Sequence, residues 1–580
     1  MSTLWPHPGT SGIRVKAVGL TGMSAPSPSN AASTAASPAN AAAELREKRG
    51  ASAADPACRK ALGLAASIHR FAAATPAATA LVIDETEYSF AELAGAASRV
   101  AAWLRPATAS DDAARIGILA TRSFETFAGL VGAAWAGACT VPLNPAQPAA
   151  RLASILRGAG LRALVVDREG AGHVGHEAVA SLLPGLVLAP PGTERPGATS
   201  WDQLPQPSRD DVPVAVPAGH PAYVIHTSGT TGLPKGVVVT AANVDHFVAS
   251  IRDLYAMHSG DRVGQFCEPS FDLSVFEIYA AWDAGASLHV VPENRRLAPA
   301  GFIRERGLTV WSSVPSVISI LQRMKMLQPG LFPSLRVSVF IGEALPVAAA
   351  EAWQKAAPNS VVDNHYGPTE ATVACTMQRL TDPAVATPGR GTMAIGRSYA
   401  GMETDVADDD GRFLASGEVG ELVLHGPQVA EGYLGDAETT SRRFVFLDHP
   451  RLGRTRWYRT GDLGYRDAGD VLHCLGRLDH QVKVNGHRVE LEDLEAHLRV
   501  AAACEEVAAI AWPVVDGHAA GTVAFVCGSA STPAGIRERL RELVPAYMLP
   551  KRVVALAAIP RSANGKTDRV ALAALVESPA

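Results

Sequence analysis

Between residues 79 and 167, short apolar runs alternate with longer stretches that carry apolar residues at helical spacing. Residues 80–83, 115–120, 139–143 and 164–167 read as strands. Between them, Leu93, Ala97, Val100 and Leu104 recur on one helical face, and residues 124–137 and 151–157 read as further helices. This order is the signature of a layered α/β domain whose strands are largely parallel. The alternation continues through residues 288–291, 309–311, 337–341 and 361–364. Past residue 400 the text changes to short β-like runs punctuated by glycine, such as GELVLHG and GYRDAGDVLHCLGR. A boundary is therefore placed at residues 476–479, dividing a large α/β part, 58–476, from a small α+β part, 477–580.

The chain has 580 residues, enough for several cores. Residues 24–57 are mostly Ala, Ser and Pro, too poor in large apolar groups to offset their ordering entropy, so residues 1–57 are expected to form a disordered tail. A net charge of −5 argues against a nucleic-acid partner. No apolar run is long enough to span a bilayer, and the first twenty residues lack the apolar stretch of a signal peptide. Seven dispersed cysteines without a C-x-x-C pair read as reduced thiols. Together these point to a cytoplasmic protein with no membrane partner.

The densest chemical signal is YVIHTSGTTGLPKG, residues 223–236. An apolar strand runs into a loop in which Thr227, Ser228, Thr230 and Thr231 offer hydroxyls. Gly229 and Gly232 allow close backbone approach, and Lys235 brings a positive charge. Such a loop suits a polyphosphate, yet G-x-x-x-x-G-K-[ST] cannot be laid over it. A polar surface turn is the alternative. Further along, FDLSVFEIY, GEALP, YGPTEATVA and GRLDHQVKVNGHRVELEDLE follow in order.

With the 223–236 loop, these motifs resemble the adenylate-forming superfamily, and within it free-standing amino-acid adenylation enzymes and D-alanine–carrier-protein ligases. The likeness runs from about Tyr88 to Arg569. It implies a large, multi-subdomain N-terminal adenylation domain and a small mobile C-terminal domain. It implies as well that Asn364, His365, Tyr366 and Gly367 form the adenine site, with Tyr366 stacking on the base. Thr369 would contact the α-phosphate, and Glu370 would hold Mg²⁺, which takes oxygen ligands. Asp462 and Arg477 would take the ribose hydroxyls, a carboxylate being able to accept two hydrogen bonds. Lys566 would stand between substrate carboxylate and α-phosphate, stabilising charge as it develops. Lysine is scarce in this chain, and Lys235, Lys483 and Lys566 all fall in the motifs.

For the acid, Asp272 would pair an α-ammonium, because a buried charge without a partner is costly; capping the helix 273–282 is its other reading. By resemblance the pocket wall is Leu273, Phe276, Ser312, Val339, Ile341, His365, Val373 and Ala374. Mostly apolar, and made shallow by Ile341, it implies a small amino acid. His365 reads equally well as a satisfied polar group in the wall. The expected reaction is amino acid plus Mg·ATP giving aminoacyl-AMP, then transfer to the phosphopantetheine thiol of a separate carrier protein. Asp479 would be the hinge of the small domain, whose Lys483 and Gly486 would then face the site. An acyl- or aryl-CoA synthetase, and an ATP-binding regulator without catalysis, are the alternatives.

Overall fold

The computed structural model describes residues 63–577, apart from 110–112, 194, 207–210, 229–232, 479–480, 485, 516–517 and 562–566. Gly229, Thr230, Thr231, Gly232, Asp479 and Lys566 therefore lie outside the described residues, as does the 1–57 tail.

The expected alternation is present. Strands Thr79–Ile83, Arg115–Leu119, Cys139–Leu143 and Leu161–Val166 are separated by helices Phe90–Thr108, Phe124–Trp135 and Ala149–Ala159. The first helix starts where Ser89 and Glu92 form a reciprocal capping box. Its stripe of Leu93, Ala97, Val100 and Leu104 is wholly buried. That helix and Phe124–Trp135 pack on each other and share one hydrophobic core with the strands beneath them.

Two large sheets carry the fold. In one of eight strands, Arg115–Leu119 pairs in parallel with Cys139–Leu143 and with Leu161–Val166, and the hairpin Pro221–Thr227/Lys235–Thr240 joins at one side. In the other, of nine strands, Arg262–Gln265, Val310–Ser313, Val337–Ile341 and Val361–Tyr366 run parallel, with antiparallel strands at the edges. The chain then forms a five-stranded antiparallel sheet whose last strand is Leu472–Arg477. The C-terminal part has its own core and its own sheets, built around hairpin Gln481–Val484/His487–Glu490 and helix Leu491–Ala502. This is the mixed α/β class with a C-terminal subdomain that the sequence led us to expect.

The stretch read as a plain helix over 273–282 differs in detail. It runs as Leu273–Val275, a π-turn over Phe276–Ala280 and Ala281–Asp283. A π-turn inserts one residue into the helix and re-aims the side chains around it. Asp272 itself is helical, at φ −64°, and its carboxylate makes no cap hydrogen bond. The capping reading of Asp272 is thereby set aside. No described helix is long and apolar enough to cross a membrane. The six described cysteines are all free thiols.

Candidate active site

The ends of the parallel strands bring the motifs together. Strand Val361–Tyr366 delivers Asn364, His365 and Tyr366 to one edge of a cleft and is followed by Gly367, Pro368 and the 3-10 turn Thr369–Ala371. A Cβ at Gly367 would lie 2.5 Å from the Ala374 backbone, so this turn admits no side chain there. The Thr369 hydroxyl donates to Asp272 Oδ2 at 2.6 Å. Both residues are buried, and burial raises the Asp272 carboxyl above its ordinary range against the pull of Thr369 and Lys483.

Asp272 and Thr369 line the first of two cavities, which border each other at Gly342, Gly367 and Pro368. With them lie Leu273, Ile341, Gly342, Val373, Thr227 and Ser228, with Lys483 and His487 reaching in from the C-terminal part. Thr372 and Val373 hold φ of 55° and 72°, a region β-branched residues rarely adopt. Thr372 Oγ1 donates to the Gln428 carbonyl, and Gln428 Nε2 donates to the carbonyls of Ala371 and Ala374, holding this wall in place.

The other expected wall residues stand behind that surface. Phe276, Ser312, Val339 and Ala374 are buried, and none of them lines the open cavity. Ser312 turns its hydroxyl to Glu277 Oε1 at 3.1 Å. His365 has both ring nitrogens engaged, Nε2 with the Tyr255 hydroxyl at 2.6 Å and Nδ1 with that of Tyr399. Tyr255 in turn donates to Asp363 at 2.8 Å. Burial holds the imidazole near pKa 4, so it is neutral and a satisfied polar group.

The second cavity, of about 330 Å³, is lined by Asn364, Tyr366, Gly367, Asp462, Arg477, Lys483 and Arg488. Tyr366 donates to Asp462 Oδ2 at 2.6 Å, and Arg477 to Asp462 Oδ1 at 2.8 Å. Asn364 Nδ2 donates to the Ala394 carbonyl, leaving its buried Oδ1 without a partner among the described residues. An acceptor held in this way beside an aromatic ring fits the exocyclic amine of a purine.

Glu370 is almost fully buried and accepts from the Tyr433 hydroxyl at 2.7 Å. Arg488 Nη1 lies 3.2 and 3.0 Å from its two oxygens. Burial alone would raise this carboxyl, but Arg488 and Tyr433 together bring it down to about 2. It is thus ionised at neutral pH, a hard-oxygen donor of the kind a divalent metal takes. Lys235 is half-buried, with Nζ 5.7 Å from the centre of the Tyr433 ring.

Glu277, Tyr433 and Arg488 were missed by sequence reasoning. Glu277 was within reach, because Leu273, Phe276 and Glu277 sit three and four residues apart on one helix. Arg488 was too: Lys483 and Arg488 are directly opposed across their hairpin and so share a face.

Comparisons with known proteins agree with one another. Residues 68–434 match the family model described as AMP-binding enzyme. The chain is 30% identical to a D-alanine–D-alanyl carrier protein ligase of Bacillus velezensis, over 87% of this chain and 97% of that one. It is 36% identical to the probable non-canonical nonribosomal peptide synthetase CymA of Salinispora arenicola, over 86% of this chain but only 6% of that much longer relative. Among solved structures, the Vibrio cholerae adenylation domain AlmE in complex with glycyl-adenosine-5'-phosphate is 31% identical, with a TM-score of 0.76. That match covers 89% of this chain and 97% of the other.

Proposed function

The chain belongs to the AMP-binding enzyme family, and from that premise we propose that it activates a small, apolar α-amino acid with ATP and passes it to a carrier thiol. In the first half-reaction a carboxylate oxygen attacks the α-phosphorus of ATP, giving aminoacyl-AMP and pyrophosphate. In the second, the phosphopantetheine thiol of a separate carrier protein attacks the acyl carbon and AMP leaves.

One observation carries this reading: the Thr369 hydroxyl is bonded to the Asp272 carboxylate at 2.6 Å. In an α-amino acid the ammonium and the carboxylate share one carbon. A counter-ion for the first, held one hydrogen bond from a phosphate-contacting hydroxyl, therefore matches that substrate class and no simple fatty or aryl acid. The pocket supports a small apolar side chain, since Ser312 and His365 spend their polar atoms on neighbours and Ile341 and Val373 form the surface.

On the nucleotide side, Asn364 would accept from the adenine amine, Tyr366 would stack on the ring and Asp462 would take the ribose. Thr227, Ser228, Thr230, Thr231 and Lys235 would hold the phosphates with the Gly229 and Gly232 backbone. Glu370 would hold Mg²⁺, whose charge offsets that of the phosphate oxygens when it is bound. Lys566 is assigned to the reacting carboxylate and α-phosphate. Since Lys566 and a thiol need the same approach, the 477–580 part is assigned a rotation about Asp479 between the two steps.

ATP–pyrophosphate exchange over a panel of amino, hydroxy, aryl and fatty acids tests the reading. Small apolar amino acids are expected to lead; preference for an aryl or fatty acid over every amino acid would refute it.

A further inference from the structure

Hairpin Gln481–Val484/His487–Glu490 does more than border the nucleotide cavity: it bonds two of the groups assigned to Mg·ATP, Glu370 and Ser228. The Arg488 side chain takes both oxygens of Glu370, and its side chain is 15% exposed against 1% for Glu370. The main-chain carbonyl of the same residue accepts from Ser228 Oγ, a phosphate-loop hydroxyl, at 2.8 Å. Next to it, Gly486 N donates to Glu343 Oε1 at 2.5 Å, and at φ 83° a Cβ on Gly486 would run into Val314. The hairpin therefore seats closely against the large part. Its seat is also imperfect, since Arg488 Nε is buried with no hydrogen-bond partner among the described residues. A donor left in that state weakens the arrangement that buries it.

We infer that Arg488 is a gating residue: it occupies the metal-ligand carboxylate and the phosphate-loop serine in the docked state, so hairpin docking and Mg·ATP binding exclude each other. The physical ground is plain. A guanidinium and a divalent cation cannot share one carboxylate edge in a buried cleft without strong repulsion. Ser228 cannot give its single proton to a carbonyl and a phosphate at once. The docked hairpin thus belongs to enzyme that has released Mg·pyrophosphate, and loss of that product frees Glu370 and Ser228 for Arg488. The inference rests on the assignment of Glu370 and the 227–235 loop to Mg·ATP. By linkage, whatever factor Mg·ATP takes from docking, docking takes from Mg·ATP.

The test uses the full chain and α,β-methylene-ATP, a non-hydrolysable analogue. Hydrogen–deuterium exchange of the 481–490 amides is followed without ligand, with MgCl₂ alone, with the analogue in EDTA, and with both. Calorimetry on the same samples gives the analogue's Kd. In the wild-type chain, Mg·analogue is expected to speed hairpin exchange by about tenfold, a common coupling strength, and more than either component alone. Arg488→Gln is expected to exchange fast without ligand and to bind Mg·analogue about tenfold more tightly, with Arg488→Lys in between. Unchanged hairpin exchange on a measured Mg·analogue binding event overturns the gate and leaves the ATP assignment intact. Full release by the analogue in EDTA overturns the role of Glu370. Failure of the wild-type chain to bind Mg·analogue at all overturns both.

Discussion

The polar groups behind the acyl pocket and the groups assigned to Mg·ATP find their partners in opposite places. Behind the acyl pocket, Ser312 bonds Glu277, and His365 bonds Tyr255 and Tyr399, all within the large part. Among the groups assigned to Mg·ATP, Glu370 and Ser228 bond Arg488, and nearby Glu343 bonds Gly486, both of them from the C-terminal part. A group satisfied by its own domain is fixed and selects by shape. A group satisfied by a movable neighbour is available for exchange with a ligand. The first arrangement suits discrimination among acids, the second suits a site that hosts two successive reactions.

The strongest way to break this contrast is at Lys566, assigned to the exchangeable side. Lys566→Ala is expected to lower amino-acid-dependent ATP–pyrophosphate exchange by about 100- to 1000-fold, the scale of one preorganised electrostatic contact. Near-normal exchange would remove Lys566 from the reaction.

Asp272 lines the acyl pocket and accepts from Thr369, and its loss should be felt next most strongly. Asp272→Ala leaves a substrate ammonium unpaired in a buried site, a loss of about 2–3 kcal/mol, or roughly 30- to 150-fold in kcat/KM. Des-amino analogues are expected to lose little on the same change. An equal loss for amino acids and des-amino analogues would show that Asp272 acts only through its bond to Thr369.

Asp479→Pro separates the two cavities in time. Proline fixes φ and should hinder the proposed rotation. Pyrophosphate exchange is expected to persist while thioester formation on the cognate carrier slows greatly. Equal losses in both half-reactions, measured on one preparation, would reject the hinge.

What was legible in the sequence follows the same division. The parallel strands were readable because buried β runs between amphipathic helices have few other uses, and Thr79–Ile83, Arg115–Leu119 and Val337–Ile341 fall where the text placed them. Asp272, Thr369 and Asp462 were readable because each chemical task restricts the residue type. Partnerships were not readable. Nothing in the order of residues says that Thr369 spends its hydroxyl on Asp272, 97 positions away, or that Arg488 reaches Glu370 across 118. The π-turn at Phe276–Ala280 was hidden as well, since FDLSVFEIY carries an ordinary helical pattern. It is the pairing of elements, set by the tertiary fold, that turned His365 away from the acid.

The smallest effect on catalysis is expected where the large part satisfies itself, at Glu277. This fully buried carboxyl accepts from Ser312 and from the Cys267 N–H, and burial outweighs those donors and pushes it up to about 7. Its folded form thus holds a proton between pH 4.5 and about 7 that the unfolded chain has released. Stability from this group is complete below that interval and falls as pH rises through it, by at most about 3 kcal/mol. Buried His365 and half-buried His226 and His487, held down to about 4, act in the opposite sense. Their neutral forms favour the fold above pH 6.5, and that stability is lost as pH falls toward 4. Because the histidines are common to both proteins, the difference between wild type and Glu277→Gln isolates the carboxyl. The Glu277→Gln variant keeps an oxygen to accept from Ser312, so its choice among amino acids is expected to stay as it is. Its melting temperature, matched to wild type near pH 4.5, is expected to pull ahead as pH rises to 7.5. Parallel melting curves across that range would mean that Glu277 is already ionised in the fold, and a changed amino-acid preference would place it in the pocket instead of behind it.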